Sequence, residues 1–254
     1  MYTYAELKLK ADDHWLNLTS GEKPWIRIGT AMCGQAVGAL HVTKSLKLEL
    51  ETHGLDANID EVGCLGLCFA EPIIDILKPG HSRLFFRNVT SDDISDIIES
   101  YLINDIVPTK KTLGYLGDTP IKGVPDLNSL PGMKYQQRIA LSNAGNIAPD
   151  KIFQYISQDG YAGLNKALYK MQPSDVIKEI TDSGLRGRGG AAFLTGIKWS
   201  FLVRSPGPPK YILCNCEEGD PGAYNDKGIL ESDPHKLIEG LTIAGYATGA
   251  TNGF

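Results

Sequence analysis

The sequence of 254 residues has no apolar run approaching eighteen residues, so it offers no candidate for a membrane-spanning helix. A secretory leader is also lacking: the opening MYTYAELKLKADDHW is too charged to be one, and the expected location is the cytoplasm. Positive charge is in deficit, with 25 Lys and Arg against 30 Asp and Glu and a net charge of -5, which argues against nucleic acid as the main partner. Cysteine is sparse. The five residues, Cys33, Cys64, Cys68, Cys214 and Cys216, are too few and too clustered for a disulfide framework in a chain of this length. Thiolate chemistry or metal ligation is the more useful question. The pattern G-x-x-x-x-G-K-S/T is absent, which argues against a P-loop transferase, and there is no internal repeat or low-complexity tract.

What is present centres on Ser183 to Ile229, where a glycine-dense loop, a short apolar strand (YILCN) and an acidic turn (CEEGDPGAYNDKGI) follow one another. Between Gly184 and Gly190 the glycines are interrupted only by Leu185, Arg186 and Arg188, so backbone N–H groups can face a phosphate without Cβ atoms in the way. Gly187, Gly189 and Ala192 spell G-x-G-x-x-A, but a dinucleotide fingerprint must follow a strand, and Pro173 to Asp182 reads as a helix. The strand is expected to end at Asn215 and to deliver Glu217, Glu218 and Asp220 to the same end of a sheet as the glycine loop. Acidic groups there suit sugar hydroxyls or amide N–H groups rather than phosphate, so the pair of features suits a nucleotide or flavin.

The words GLRGRGGAAFLTGIKWSF, CNCEEGDPGAYNDK and ILESDPHKLIEG closely resemble the FMN- and NADH-binding flavoprotein subunit of respiratory complex I and its relatives in NAD-linked hydrogenases and formate dehydrogenases. The resemblance implies that Gly187, Arg188 and Gly189 wrap FMN and that Lys198 lies near the flavin and its phosphate. It further implies that Asn215, Glu217 and Glu218 border the flavin, that Asp220 lies close to the nicotinamide, and that Phe193 and Phe201 contact NAD(H). For Phe201 ordinary core packing is an equal reading. Departures from the family pattern, Ala192, Leu194, Asn225 and Lys227, leave the choice between NADH and NADPH open. As a family member the chain would pass electrons between NADH and iron–sulfur clusters, beside a ferredoxin-like subunit of the 24 kDa type and other iron–sulfur subunits, cytoplasmic or peripheral on a membrane complex. The cofactor supplies the chemistry, and no catalytic side chain is required. Relatives continue past the position of Phe254 into a region with a 4Fe–4S cluster, so a fragment is expected.

Upstream, hydrophobic periodicity gives the order αβαβββα, with a helix through Leu7, Ala11, Trp15 and Leu18, a strand WIRIG, and a last helix capped at Ser91. Cys33 follows the first strand; Cys64 and Cys68 follow the second, so three sulfurs can meet at one end of the sheet. A 2Fe–2S centre is usually held by four cysteines. The pattern resembles the thioredoxin-like ferredoxin domain of the same enzyme group, but the C-x4-C pair expected at Cys33 is missing, since the positions five before and five after are Ile28 and Gly38. Three readings stand: a cluster with an uncommon fourth ligand or a looser arrangement, a domain that has lost its cluster, and three buried structural cysteines. Cys214 and Cys216 have no nearby further ligands, which favours burial.

The expected organisation is α/β throughout: a thioredoxin-like ferredoxin domain over residues 1–106, a Pro- and Gly-rich arm over 107–149, and the first part of a Rossmann-like FMN-binding domain over 150–254. Within the arm, Arg138 to Gly145 (RIALSNAG) reads as a short strand and turn, and Tyr115, Leu116, Ile121, Val124, Leu127 and Leu130 offer apolar points for a neighbouring surface. The competing function is a non-catalytic module that docks the ferredoxin-like partner.

Overall fold

The computed structural model describes residues 2–254. Helix α1 (Tyr4–Ser20) opens with a capping box, Thr3 Oγ1 accepting the Glu6 N–H while the Glu6 carboxylate accepts the Thr3 N–H. Strand β1 (Trp25–Gly29) follows, then a one-turn helix α2 (Met32–Ala36), α3 (Ala39–Thr52) and β2 (Asn58–Val62). Strands β3 (Ile74–Leu77) and β4 (Arg83–Phe86) form a hairpin, α4 (Asp93–Ile97) passes into a π-helical stretch to Ile103, and β5 (Thr112–Leu116) completes the sheet. The strand order is β2-β1-β3-β4-β5, parallel between β1 and β2 and antiparallel elsewhere. A parallel βαβ unit followed by a β-hairpin and a helix is the thioredoxin-like arrangement that the sequence implies.

Alternation along the strands decides what each face carries. On one face Ile26, Ile28, Ile74, Ile76, Leu84 and Phe86 bury against Val42, Leu46 and Ile97 from α3 and α4. On the other, Phe85 joins Leu65, Leu67, Leu113 and Leu127, so the Pro-rich stretch after residue 107 supplies both a fifth strand and part of the cover. That same face holds a buried ion cluster. Asp75 accepts from Arg27 Nε at 2.9 Å and from Arg83 Nε and Nη2 at 2.6 Å, and Arg83 also reaches the Gly145 carbonyl and Asn146 Oδ1. Trp25 donates to Asp60 at 2.8 Å, and Gln154 of α5 (Ile152–Ser157) donates to the same carboxylate at 2.6 Å.

Residues beyond α5 build a second, helical unit from α6 (Ala162–Lys170), α7 (Pro173–Asp182), α8 (Thr195–Arg204), a short strand β6 (Tyr211–Ile212), α9 (Asn225–Ser232), α10 (Pro234–Thr248) and β7 (Asn252–Gly253). Its small core joins Ala167, Val176 and Ala247 to Trp199 and Tyr246. Asp233 caps α10 and Pro234 occupies its first turn. His235 lies between Tyr155, stacked at 5.4 Å, and the Tyr161 hydroxyl at 2.9 Å, so it is a packing residue.

Three local expectations change. The cap before α4 is Asp92 rather than Ser91 and makes no side-chain capping bond, while the Asp93 carboxylate accepts the Thr90 N–H and hydroxyl. Residues 138–145 form bends and turns rather than a strand, and the buried guanidinium of Arg83 holds the Gly145 carbonyl. The strand expected through Asn215 keeps ladder pairing only at Tyr211 and Ile212, where β7 runs parallel to it, with flanking bonds from the Cys214 N–H to the Phe254 carbonyl, the Phe254 N–H to Ile212 and the Thr251 N–H to Lys210.

Candidate functional site

The cysteine end of the first unit is built by two segments that leave the same end of the parallel strands β1 and β2. Helix α2 follows closely on β1 and places Cys33 in its first turn. The Gly63–Cys68 loop leaves β2 and carries Cys64 and Cys68, the second of them opening a 3-10 turn (Cys68–Ala70). The three Sγ atoms lie within 4.8 Å of one another, and Cys64 and Cys68 are 3.7 Å apart. The Gly66 N–H donates to Cys64 Sγ at 3.2 Å. Hydrogen bonding from Cys64, against the opposing effect of burial, holds the Cys33 thiol down to about 6, while Cys64, donating to Cys33 and itself buried, is pushed up. One thiolate is thus already favoured among three converging sulfurs. This donor set is soft and closely spaced, and it fits iron–sulfur ligation.

Two further residues approach the trio, and neither stands out in the sequence. Glu71, 5% exposed, brings Oε1 to 4.0 Å from Cys33 Sγ, while its Oε2 accepts the Ile73 N–H at 2.8 Å. Burial pushes its carboxyl up to about 7, with the Ile73 bond acting in the opposite direction. Arg138 has a buried Nε without a hydrogen-bond partner; burial lowers its pKa and the nearby Cys64 raises it. The one sequence signal for Glu71 is its position three residues after Cys68. Arg138 has none, because the contact depends on how the Pro-rich stretch folds back.

A cavity of about 430 Å³ opens beside the sulfurs, bounded by Met32, Cys33, Cys64 and Cys68 on one side and by Tyr224, Lys227 and Glu231 of the second unit on the other. The two sides are tied together. Glu231 Oε2 accepts the Met32 N–H at 3.1 Å, and Gly63 lies so close to Ser232 that a Cβ there would collide with it. Cys214 and Cys216 stand apart from the sulfur trio, in the strand and turn of the second unit.

In that unit the glycine loop connects α7 to α8. The Gly187 N–H donates to the Phe193 carbonyl at 2.8 Å, the Thr195 N–H donates to Leu185, and Arg186 donates to the Ala192 carbonyl, which pins the loop at its neck. Arg188, Gly189 and Gly190 at its tip are exposed, and among the described residues none of their N–H groups finds an acceptor. A Cβ at Gly189 or Gly190 would meet nothing within 4 Å, and Gly190 has a φ of 98° that favours glycine. Phe193 and Phe201 lie 6.2 Å apart and half exposed, and Lys198 is exposed on the first turns of α8. Free N–H groups, two basic side chains and an open face fit an anionic cofactor.

The acidic turn organises its own backbone. Asn215 Oδ1 accepts from the Glu217 N–H at 3.0 Å and Asp220 Oδ1 from the Gly222 N–H at 3.2 Å. Glu218 accepts the Asp226 and Lys227 N–H groups at 2.8 and 3.1 Å and so caps α9, the helix that walls the cysteine cavity. Desolvation would raise the Glu218 pKa, but these bonds and the Lys227 charge bring it below the ordinary value. The hydrogen bonds of this turn and those of the glycine loop are separate sets.

Residues 180–254, which contain the loop, the turn and α9, match the Nuo51 FMN-binding domain. Among individual relatives, the HndC component of the NADP-reducing hydrogenase of Solidesulfovibrio fructosivorans is 49% identical over 120 residues, covering 47% of this chain and 24% of that protein. An NADH-quinone oxidoreductase component of Escherichia coli K12 is 41% identical over 102 residues, 40% of this chain and 23% of that one. The chain thus spans about a quarter of the length of the relatives it matches. Among solved structures, a thioredoxin-like 2Fe–2S ferredoxin from Aquifex aeolicus aligns with 38% of this chain and 96% of its own at 13% identity and a TM-score of 0.34. An NAD+-reducing NiFe hydrogenase aligns with 98% of this chain and 40% of its own at 20% identity and a TM-score of 0.38. No helix among the described residues is long and apolar enough to cross a membrane.

Proposed function

We propose that this chain is part of an FMN-dependent oxidoreductase that passes electrons between NAD(P)H and iron–sulfur clusters of a multi-subunit complex. The observation that carries the reading is the shared cavity: α9, within the segment that matches the FMN-binding domain, forms one wall, and three converging thiols form the other. A flavin module and a candidate metal centre on one chain, joined by Glu231 and Ser232, suit electron transfer between them.

In this reading the N–H groups of Arg188 and Gly189, with Gly187 at the neck, receive the phosphate of FMN, and Lys198 adds positive charge beside it. Asn215, Glu217 and Asp220 present acceptors to ribityl hydroxyls and the nicotinamide carboxamide, while Phe193 and Phe201 flank the nucleotide. Glu218 borders the flavin from the cap of α9. Bound FMN supplies hydride exchange with the nicotinamide and releases the pair as single electrons. Cys33, Cys64 and Cys68 hold a 2Fe–2S cluster. The module divides into a first unit that begins as residues 1–106 and takes β5 and part of its cover from the 107–149 stretch, and a flavin unit beyond α5; it works on the cytoplasmic side and has a ferredoxin-like subunit of the 24 kDa type as its neighbour.

Anaerobic reconstitution with FMN, iron and sulfide tests this. The expected product is a yellow-brown protein that retains flavin on desalting and is bleached by NADH or NADPH. Glu218→Gln is expected to slow bleaching roughly tenfold or more and, because one of the two acceptors that cap α9 becomes a donor, to lower the unfolding midpoint as well. A colourless protein that still captures the ferredoxin-like subunit would replace the oxidoreductase reading with that of a docking module.

A further inference from the structure

We propose that the carboxylate of Glu71 is the fourth ligand of the cluster held by Cys33, Cys64 and Cys68. The inference rests on the cluster reading above and assigns the place that a fourth cysteine leaves open.

Local structure puts Glu71 there. In a 3-10 turn, residues three apart eclipse one another, so the turn from Cys68 to Ala70 brings Glu71 round to the side of Cys68. The Ile73 N–H holds Oε2 at 2.8 Å, which leaves Oε1 turned toward the sulfurs, 4.0 Å from Cys33 Sγ. Oxygen and sulfur donors on one tetrahedral metal stand about 3.5 Å apart, so a small side-chain adjustment lets both reach the same ion. Room for the carboxylate comes from Gly29 at the end of β1, where a Cβ would approach its oxygens to 2.7 and 2.9 Å. The site is built around this side chain.

Charge gives an independent argument. Glu71 is 5% exposed and, among the described residues, takes part in no salt bridge. A buried carboxylate without a cation is costly, and iron at the trio would supply one. Three thiolates and one carboxylate carry the same total charge as four thiolates, so the exchange leaves the cluster's charge unaltered while giving one iron a harder donor. The remaining cysteines do not compete, since neither Cys214 nor Cys216 joins the sulfur group.

The test uses the full chain reconstituted anaerobically with ferrous iron and sulfide, alongside Glu71→Ala and Glu71→Cys. Wild type is expected to hold about two iron and two sulfide per chain. Glu71→Ala is expected to lose iron to a chelator at least about tenfold more readily. Glu71→Cys should retain the iron but move the electron paramagnetic resonance g-values and the Fe–S stretching bands toward those of an all-cysteine centre. Thermal unfolding of the apo proteins controls for misfolding of the alanine variant, and the cysteine variant decides if that variant does not fold. Wild-type iron, sulfide and spectra in both variants, or in the cysteine variant alone where alanine does not fold, would overturn the assignment of Glu71 and leave the cluster in place. A wild-type protein without iron would overturn the cluster reading, and Glu71 with it.

Discussion

The cysteine end and the glycine loop solve opposite problems. Around the cysteines the ligands are already assembled: Glu71 is buried, Gly63 touches Ser232, and Cys64 and Cys68 lie within hydrogen-bonding distance. At the glycine loop the protein is open: Arg188 to Gly190 are exposed, with N–H groups that no described protein atom accepts. A cluster is a compact object whose ligands must converge within a few ångströms, so its site has to be held by the fold. A flavin is large and brings its own phosphate to the main chain, so its site can wait as a pinned neck with a free tip. Substitutions should therefore cost stability at one end and ligand affinity at the other.

The largest effect is expected beneath the cysteine loops. Asp75 is 2% exposed and is shared by two buried guanidinium groups, so Asp75→Ala leaves both Arg27 and Arg83 without their counter-charge. A loss of about 3–5 kcal/mol is expected, read as a fall in the denaturant midpoint at constant m. Because Arg83 also holds Gly145 and Asn146, the turns that carry Arg138 toward Cys64 should loosen as well, with faster hydrogen exchange there. A loss under about 1 kcal/mol would mean that the buried ions are not what closes this end.

A smaller effect is expected where the two units meet. In Gly63→Ala the new methyl runs into Ser232, and the misfit involves that residue's backbone as well as its side chain. Overpacking of this kind costs about 1–3 kcal/mol. It should also part the walls of the shared cavity, so that Cys33 reacts faster with a thiol reagent than in wild type. Unchanged reactivity together with lost stability would show that the cavity does not depend on this contact.

Legibility in the sequence followed the same division. Strand β1 and helix α3 were readable because their apolar residues repeat at the period of the element, and α7 because Val176, Ile177 and Ile180 fall on one face, although its cap is Gln172 and not Ser174. The convergence of Cys33, Cys64 and Cys68 was readable because the strands before them finish at one end of the sheet. The glycine loop was readable from composition alone. What escaped were contacts made across the chain by residues with no local pattern: Arg138 beside Cys64, Gln154 on Asp60, and β5, whose Leu113 and Leu116 look like loop residues among Pro and Gly. The capping role of Glu218 escaped differently: its carboxylate, expected to border the flavin, also engages the first N–H groups of α9, a cap separated from its helix by the turn from Gly219 to Tyr224.

The smallest effect on stability, and the sharpest test of the contrast, is expected at Gly189. A methyl there meets no atom within 4 Å, and the backbone is not in the left-handed region, so Gly189→Ala should change the stability of the apo protein by no more than about 0.5 kcal/mol. The same methyl adds bulk to a loop tip whose N–H groups are otherwise bare. Flavin titration should therefore show FMN affinity reduced by about tenfold or more, equivalent to about 1.4 kcal/mol lost from binding alone. Gly190→Ala serves as the contrast, because a φ of 98° adds backbone strain to the same bulk and should cost both quantities. If Gly189→Ala bound FMN as tightly as wild type, the phosphate would have to be held elsewhere, and the open tip would be an ordinary surface loop.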